Sequence, residues 1–172
     1  MENNIEPETS ERLYFTRRGL AILHNKIEEL KEKLRDLESQ AAHIAEVSGD
    51  QWHDNPTYNS LEIDIRSIDH RIFNERQVLN KAILVEAPIN FDRVAIGTKV
   101  KISRDSEEIT LEIAGFGESD PGRNAIAYNT PLASLIMGRR KGEVVSGIIA
   151  GKKTEIEILE IAKRDEENVC DS

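Results

Sequence analysis

A short polar segment between two stretches of helical periodicity carries the side chains best suited to chemistry. It runs from Glu46 to Tyr58 and places two carboxylates, Asp50 and Asp54, four residues apart. Mg²⁺ takes oxygen ligands, keeps several waters and needs only one or two carboxylates from a protein. Asp50 and Asp54 could therefore share a Mg²⁺ ion with a second molecule. The structural alternative is a turn in which Asp54 or Asn55 caps the following helix.

The same segment contains the single tryptophan, Trp52, followed by His53. The tip of a helical hairpin has no core in which to bury an indole, so an exposed Trp52 favours contact with a partner. The alternative is that Trp52 folds back over Tyr58. The other three histidines do not have the spacing of zinc ligands. Since no nucleophile–base pair or glycine-rich phosphate loop is evident, an independent active site is not expected.

Two sets of apolar residues at helical spacing flank this segment and predict an antiparallel helical hairpin. Thr16 is a suitable N-cap for the first helix, and Pro56 suits the first turn of the second. The second apolar stripe is interrupted at Glu75 and Arg76. A two-helix oligomerisation element is the alternative that this periodicity leaves open. The apolar positions are Leu23, Ile27, Leu30, Leu34 and Leu37, then Leu61, Ile65, Ile68, Ile72 and Leu79.

Beyond Pro88 the apolar runs become short and are separated by turn residues, a pattern typical of strands. One short helix is predicted from Thr130 to Met137, ending at Gly138. The predicted fold class is α+β, with an N-terminal antiparallel two-helix coiled coil followed by a small antiparallel β domain with one short helix. The predicted strands are Val94–Ile96, Lys99–Ile102, Ile109–Ala114, Asn124–Tyr128, Val144–Ile149 and Thr154–Ile161.

The bulk composition restricts the possible functions. The net charge of −9 over 172 residues disfavours non-specific binding to nucleic acid or to anionic membranes. The single cysteine, Cys170, excludes an intramolecular disulfide. No apolar run reaches the roughly 20 residues that a membrane span needs. We expect a soluble cytoplasmic protein with disordered tails at residues 1–12 and 164–172.

The order of several short motifs over residues 13–163 resembles the Gre family of bacterial transcript-cleavage factors. The start of the first helix is similar to the family's Met-Thr-x-x-Gly-Leu, and it reads Phe15-Thr16-Arg17-Arg18-Gly19-Leu20. The tip is similar to the family's Gly-Asp-x-x-Glu-Asn-x-x-Tyr, and it contains Gly49-Asp50, Asp54-Asn55 and Tyr58. The distal part resembles the signature Gly-x-x-Glu-x-Asp … Ser-Pro-Leu-x-x-x-Leu-x-Gly-x-x-x-Gly-Asp. Its matching pieces are Ile113-Ala114-Gly115, Glu118-Ser119-Asp120, Thr130-Pro131-Leu132, Leu135-Ile136-Met137-Gly138 and Lys141-Gly142-Glu143-Val144.

The resemblance implies that the protein assists another enzyme. The hairpin, residues 13–85 with its tip at about 46–57, would enter the secondary channel of bacterial RNA polymerase. Asp50 and Asp54 would reach the polymerase's catalytic centre, where they would help hold a Mg²⁺ ion and orient the water that cleaves backtracked RNA. The protein would then be a monomeric cofactor of the polymerase that binds no metal independently.

The resemblance also implies roles for residues outside the tip acids. Residues 86–163 would form an FKBP-like domain without prolyl isomerase activity, docked near the mouth of the channel. The expected docking residues are Asp120, Pro131, Leu132, Arg139, Arg140 and Lys141. The expected tip contacts are Trp52, His53 and Asn55.

Three arginines of the second helix are a separate prediction that rests on their spacing. Arg66, Arg71 and Arg76 lie at near-helical spacing and could form a discontinuous basic strip, so we expect them to guide the RNA 3′ end or to line the channel. The alternative is ordinary solvation, with these arginines paired to Glu62, Asp69 and Glu75. For Arg139, Arg140 and Lys141 the alternative is a solvated cationic turn.

The tip departs from the family pattern. One residue is inserted between Asp50 and Asp54, and the second acid is aspartate where the family pattern has glutamate. Trp52-His53 and Pro56-Thr57 also replace the usual residues. Two further functions therefore stay open, a non-cleaving regulator that occupies the same channel and a helical-hairpin adaptor unrelated to polymerase.

Overall fold

The computed structural model describes residues 12–49 and 54–164, which form two compact units. The first contains Leu20–Ala82, and the second contains Leu13–Gly19 together with residues 83–164. The segment Leu13–Gly19, which the expected hairpin of residues 13–85 includes, lies in the unit built mainly from strands. Among the described residues, no helix is both long enough and apolar enough to cross a membrane.

Two helices dominate the first unit, as the apolar periodicity predicts. Helix α1 spans Arg17–Ser48, and helix α2 spans Pro56–Asn80. The side chain of Asn55 accepts hydrogen bonds from the backbone N–H groups of Thr57 (2.9 Å) and Tyr58 (3.4 Å). Asn55 is therefore the N-cap of α2, which resolves the choice between it and the preceding aspartate. The proline that follows occupies the first helical position, where its missing N–H costs nothing.

The two helices pack along the predicted apolar stripes. Leu30 of α1 is buried together with Ile68 and Ile72 of α2. Lys26 Nζ and Glu75 Oε1 lie 2.6 Å apart, so an ion pair bridges the helices where the stripe of α2 is interrupted. At this position an ion pair between the two helices therefore takes the place of an apolar contact. An antiparallel hairpin follows from this pairing and from the short connection between the helices.

The second unit is built from strands and one short helix. The strands are β1 (Leu13–Phe15), β2 (Ala82–Leu84), β3 (Thr98–Arg104), β4 (Glu107–Ala114), β5 (Ala125–Ala127), β6 (Val144–Ile149) and β7 (Lys152–Lys163). Helix α3 is Pro131–Ile136, at the predicted place and capped by Thr130. Strands β1 and β2 pair with each other, and the larger sheet has the order β5-β4-β3-β7-β6.

The larger sheet is mixed, whereas the sequence pattern predicted a wholly antiparallel one. The pairs β3–β4, β3–β7 and β6–β7 are antiparallel, but β4 and β5 run parallel. A parallel pair needs a connection longer than a hairpin turn. Residues 115–124 provide that connection, and a 3₁₀ turn at Pro121–Arg123 leads back into β5.

The core of the second unit lies between the sheet and α3. Strands β3 and β7 alternate buried and accessible residues, as expected for strands with one face on a core. Val100, Ile102, Ile156 and Ile158 contribute the buried positions of these strands, and Ile136 covers them from α3. All five side chains are essentially inaccessible to solvent.

The strand predicted at Val94–Ile96 is wrong. Val94 donates to the carbonyl of Arg139 (2.8 Å) and accepts from Gly138 (2.8 Å), but the N–H of Thr98 turns back to the carbonyl of Ala95 (3.1 Å). Gly97 has a φ of +88°, which ends any extended run before β3 begins. The apolar side chains at 94 and 96 are buried in the core from a loop, which explains why their pattern resembles a strand.

Candidate functional site

The predicted chemistry lies at the connection between α1 and α2. Asp50, Trp52 and His53 lie outside the described residues, so the structure does not test their predicted roles. Asp54 is described and solvent-exposed, and Asn55 beside it is engaged in capping α2. Within residues 12–49 and 54–164, no group of three or more His, Cys, Asp or Glu side chains could hold a metal ion. Asp54 is thus an accessible carboxylate that could act only together with ligands from elsewhere.

The three arginines predicted to guide RNA are all exposed on α2. Arg66 Nη2 lies 3.0 Å from Glu62 Oε2, an ion pair one helical turn apart. Arg66, Arg71 and Arg76 are five residues apart, and each residue of an α-helix rotates by about 100°. Each arginine is therefore turned by about 140° from the previous one. This spacing distributes the three side chains around α2 and does not place them in one strip.

The exposed charges of α1 are partly neutralised within the helix. Lys31 Nζ lies 2.6 Å from Glu28 Oε1, and Arg35 lies 4.0 Å from Glu32. The hydrogen bond from Lys31 lowers the pKa of Glu28 below its ordinary value of 4.5. Pairs of this kind on a helix surface stabilise the helix only slightly. They leave the outside of the hairpin with a mixture of charges of both signs.

The docking residues predicted at the start of α3 differ in exposure. Pro131 is exposed at the first position of the helix, whereas Leu132 is half-buried and packs against the core. Asp120 is also structural, because its side chain accepts a hydrogen bond from Gly122 N (3.0 Å) and its backbone N–H donates to Ala125 (2.9 Å). Of these three residues, Pro131 is the one whose side chain is exposed and neither accepts a hydrogen bond in a turn nor packs against the core.

The basic docking residues lie in the turn between α3 and β6. Arg139, Arg140 and Lys141 are all exposed. Glu143 organises this turn, because its carboxylate accepts from Arg140 N (3.2 Å) and lies 3.6 Å from Arg139 Nη1. Gly142 has a φ of +82°, a conformation that favours glycine. The turn therefore presents three cations from a backbone that Glu143 holds in place.

Sequence reasoning missed the role of Glu118 at the beginning of α1. The Glu118 carboxylate accepts hydrogen bonds from the backbone N–H of Thr16 (2.9 Å) and from its hydroxyl (2.5 Å). The partners are 102 positions apart in the sequence. Gly19 could have indicated this contact. Glycine is unfavourable inside a helix, and Gly19 stands at the position where a glutamate would complete the cap, so its presence suggests that another residue supplies the missing carboxylate.

The second unit matches a known protein family. The family described as "Transcription elongation factor, GreA/GreB, C-term" matches residues 86–163. This range contains the whole five-stranded sheet and α3. It also contains every docking residue predicted from the sequence.

Whole proteins are similar to nearly the full chain. The transcription elongation factor GreA of Thermoanaerobacter pseudethanolicus is 31% identical over 157 residues, which cover 90% of this chain and 99% of the relative. GreA of Thermomicrobium roseum is 31% identical over 137 residues, covering 78% and 87% of the two chains. Among solved structures, GreA factor homolog 1 (Gfh1) of Thermus thermophilus covers 87% of this chain and 98% of its own, at 19% identity and a TM-score of 0.41.

Proposed function

The chain belongs to the GreA/GreB family of transcription elongation factors, and from this membership we propose that it binds bacterial RNA polymerase with its α1–α2 hairpin in the secondary channel. The observation that supports this most strongly is the exposed Asp54 at the α1–α2 connection. Helix α1 has 32 residues, which corresponds to roughly 48 Å at 1.5 Å per residue. A carboxylate at the end of such a helix can reach a centre deep inside another protein.

The tip carboxylates would act on the polymerase's own reaction, the cleavage of backtracked RNA. Asp50 and Asp54 offer hard oxygen ligands, which suit Mg²⁺. Two carboxylates are too few to hold the ion alone, so the polymerase would supply the remaining ligands. Asp54 would contribute to holding the ion and to orienting a water, and the RNA phosphodiester would be hydrolysed at the polymerase's centre. The protein would thus be a cofactor of an enzyme.

The second unit would supply most of the affinity for polymerase. Pro131 and the exposed turn at Arg139, Arg140 and Lys141 are the surface features that support this assignment. Asp120 and Leu132 would contribute indirectly, since one caps a turn and the other packs on the core.

Arg66, Arg71 and Arg76 would contact the RNA 3′ end, and their different directions around α2 make the proposal testable residue by residue. Each arginine is replaced singly by glutamate, and crosslinking to the RNA 3′ end is measured at low salt, where electrostatic effects are strongest. We expect at most one or two of the three to reduce crosslinking. Unchanged crosslinking in all three variants would reject an RNA-guiding role.

A non-cleaving regulator is the second candidate. The observation that favours it is the inserted residue between Asp50 and Asp54, together with the shorter aspartate in place of the family's glutamate. Both changes alter where a second carboxylate can reach. A regulator of this kind would occupy the channel and inhibit or modulate the polymerase without promoting cleavage.

The deciding experiment is an RNA-cleavage assay on halted elongation complexes with the full-length protein. The variants are Asp50→Asn and Asp54→Asn, and Asp64→Asn on the exposed side of α2 is the matched control. We expect the tip variants to bind polymerase normally and to lose at least about tenfold in cleavage, as is typical when a metal site loses one of its supporting groups. Raising the Mg²⁺ concentration should restore part of the loss.

The outcomes separate the candidates. A wild-type protein that binds polymerase but never stimulates cleavage at any Mg²⁺ concentration would replace the cleavage proposal with the regulator. Failure of the wild-type protein to bind polymerase at all would reject both.

A further inference from the structure

The first turn of α1 is capped by two side chains that come from different parts of the chain. Thr16 is the N-cap, and its hydroxyl oxygen accepts a hydrogen bond from the backbone N–H of Gly19 (3.1 Å). The same hydroxyl donates its proton to Glu118 Oε2 (2.5 Å), and Glu118 Oε1 accepts from Thr16 N (2.9 Å). A negative charge at this end of a helix is also favourable for the helix dipole.

This arrangement reproduces a capping box with one residue supplied from elsewhere. In a capping box, a glutamate at the third helical position reaches back to the backbone N–H of the N-cap residue. Here the third position is Gly19, and a Cβ atom added to it would lie 2.0 Å from Glu118 Oε1. Glu118 therefore occupies the space of the missing side chain and makes the hydrogen bond that the missing glutamate would make.

A second glycine leaves room for the same carboxylate. A Cβ atom on Gly115 would lie 2.1 Å from Glu118 Oε1 and 2.8 Å from Thr16 N. Gly19 and Gly115 thus approach the Glu118 carboxylate from two sides, and neither tolerates a side chain while Glu118 is in place. Neither glycine has a positive φ, so space and not backbone conformation explains the residue type.

Further hydrogen bonds attach the preceding strand β1 to the same unit. Phe116 N donates to the carbonyl of Tyr14 (2.7 Å), and Val85 N donates to the carbonyl of Phe15 (2.8 Å). The rings of Phe15 and Phe116 are 5.7 Å apart, and Phe15 is almost completely buried. The residues just before α1 are therefore bound to the second unit, and Glu118 extends this attachment into the first turn of the helix.

We propose that Glu118 is a positioning residue that completes the cap of α1 and so holds the first turn of this helix within the second unit, the unit proposed to anchor the protein to polymerase. This proposal rests on the proposed function, in which the second unit docks and the tip acts at a distance. Helix α1 runs from this first turn to Ser48. Glu118 touches no substrate and is not a catalytic residue.

A double-mutant cycle on the free protein tests the shared space. Gly19→Ala should destabilise the wild-type protein, because the added methyl displaces the Glu118 carboxylate. In a Glu118→Ala background, the same substitution should stabilise α1 by about fivefold in its opening equilibrium, since alanine favours a helix over glycine. Amide hydrogen exchange at positions 16–19 measures both effects. A stabilising effect of Gly19→Ala in both backgrounds would overturn the proposed arrangement.

A second set of variants separates capping from attachment. Glu118→Ala should accelerate exchange at Thr16, Gly19 and Phe116 by about tenfold, an effect typical of losing a helix cap. The double variant Gly19→Glu/Glu118→Ala places the glutamate back on the helix itself. This double variant should restore slow amide exchange at Thr16, because the helix is capped again. Amide exchange at Phe116 should stay fast, because the new glutamate does not bind the segment that contains Phe116.

Glu86→Gln is the matched control, because Glu86 also pairs with the first turn of α1. Its carboxylate lies 3.2 Å from Arg17 Nη2, but the two side chains are 70% and 83% exposed. An exposed pair of this kind contributes little. The control should therefore leave exchange unchanged at all of these amides. Unchanged exchange at Phe116 in Glu118→Ala would show that Glu118 caps α1 without attaching it.

The functional readout uses full-length variants on halted elongation complexes. Glu118→Ala should bind polymerase as tightly as the wild-type protein but lose most of its tip-dependent effect, with Glu118→Gln in between because it keeps one acceptor oxygen. Gly19→Glu/Glu118→Ala should stay impaired. Full recovery in that double variant would reject positioning and leave capping alone. If the wild-type protein has no effect on polymerase, the proposed function fails, and the exchange experiments still decide the role of Glu118.

Discussion

The hairpin and the strand-rich unit carry their candidate functional residues in different ways. On the hairpin, Asp54 and Arg66 are exposed and lie outside the apolar seam formed around Leu30. On the second unit, Leu132 packs against the core and Asp120 caps a turn. A substitution of an exposed hairpin residue is therefore expected to leave the fold unchanged, whereas a substitution of Asp120 or Leu132 on the second unit also removes a contact within the fold. Functional losses in the two regions cannot be interpreted in the same way.

The largest expected contrast concerns the cores of the two regions. Ile158 is fully buried in β7, and Ile68 is 4% exposed in the helical seam. We expect Ile158→Ala to cost about 4 kcal/mol and Ile68→Ala about 2 kcal/mol, because two helices can close over a cavity more easily than a sheet covered by a helix. Urea unfolding combined with hydrogen exchange in each unit measures both values. Equal costs would show that the hairpin seam is as rigid as the core of the sheet.

A smaller effect separates docking from stability at the start of α3. Leu132→Ala should lower the unfolding free energy by about 2 kcal/mol, since a half-buried side chain loses part of its core contacts. Pro131→Ala should change it by less than about 0.5 kcal/mol, as is usual for an exposed residue. Both variants should weaken polymerase binding if this surface docks, measured at a temperature where both are folded. If only Leu132→Ala weakened binding, the weaker binding would be explained by the damaged fold and not by a lost contact with polymerase.

At the tip, capping and function should be separable by adjacent residues. Asn55→Ala should cost about 1 kcal/mol, because its side chain satisfies two N–H groups at the beginning of α2. Asp54→Asn should be neutral within about 0.5 kcal/mol, because the carboxylate is exposed and outside the helix. Hydrogen exchange in the first turn of α2 reports the difference. A comparable loss in Asp54→Asn would mean that this acid has a structural role after all.

The smallest expected effect is a titration on the outer face of α1. The hydrogen bond from Lys31 lowers the pKa of Glu28, so the interaction is present above the ordinary value of 4.5 and is lost as the pH falls through the lowered pKa. Glu28 is exposed, so the midpoint of unfolding should hardly move with this titration. An NMR titration should place the pKa of Glu28 below 4.5, and Lys31→Met should raise it. An unchanged pKa in that variant would contradict the assigned cause.

The elements predicted correctly are those specified by residues close together in the sequence. The stripes containing Leu30 and Ile68 predicted the hairpin because residues three and four apart share a helix face. The helix predicted from Thr130 to Met137 likewise corresponds to α3, and its beginning is specified locally, by the cap at Thr130 and by Pro131 at the first position. Periodicity is a property of neighbouring residues, so it is visible without knowledge of the tertiary structure.

The features that the sequence did not reveal depend on distant parts of the chain. Strands β1 and β2 have only three residues each, too few for a period, and their pairing depends on a partner about 70 residues away. Val94 was mistaken for a strand residue because burial in a loop produces the same apolar pattern. The parallel pairing of β4 with β5 follows from the length and turn geometry of residues 115–124. The chemistry predicted for Asp50, Trp52 and His53 stays a prediction.

The separation of 102 positions between Thr16 and Glu118 has a consequence for the order in which the protein is made. A ribosome adds roughly 5–20 residues per second, so Thr16 is synthesised roughly 5–20 s before its partner. The helices of the hairpin form on a microsecond scale, before the strands of the larger sheet have been synthesised. For most of this interval the ring of Phe15, almost completely buried in the finished protein, lacks its neighbouring ring, Phe116. The cap of α1 is therefore completed only after Glu118 is made, when both helices of the hairpin have already been synthesised.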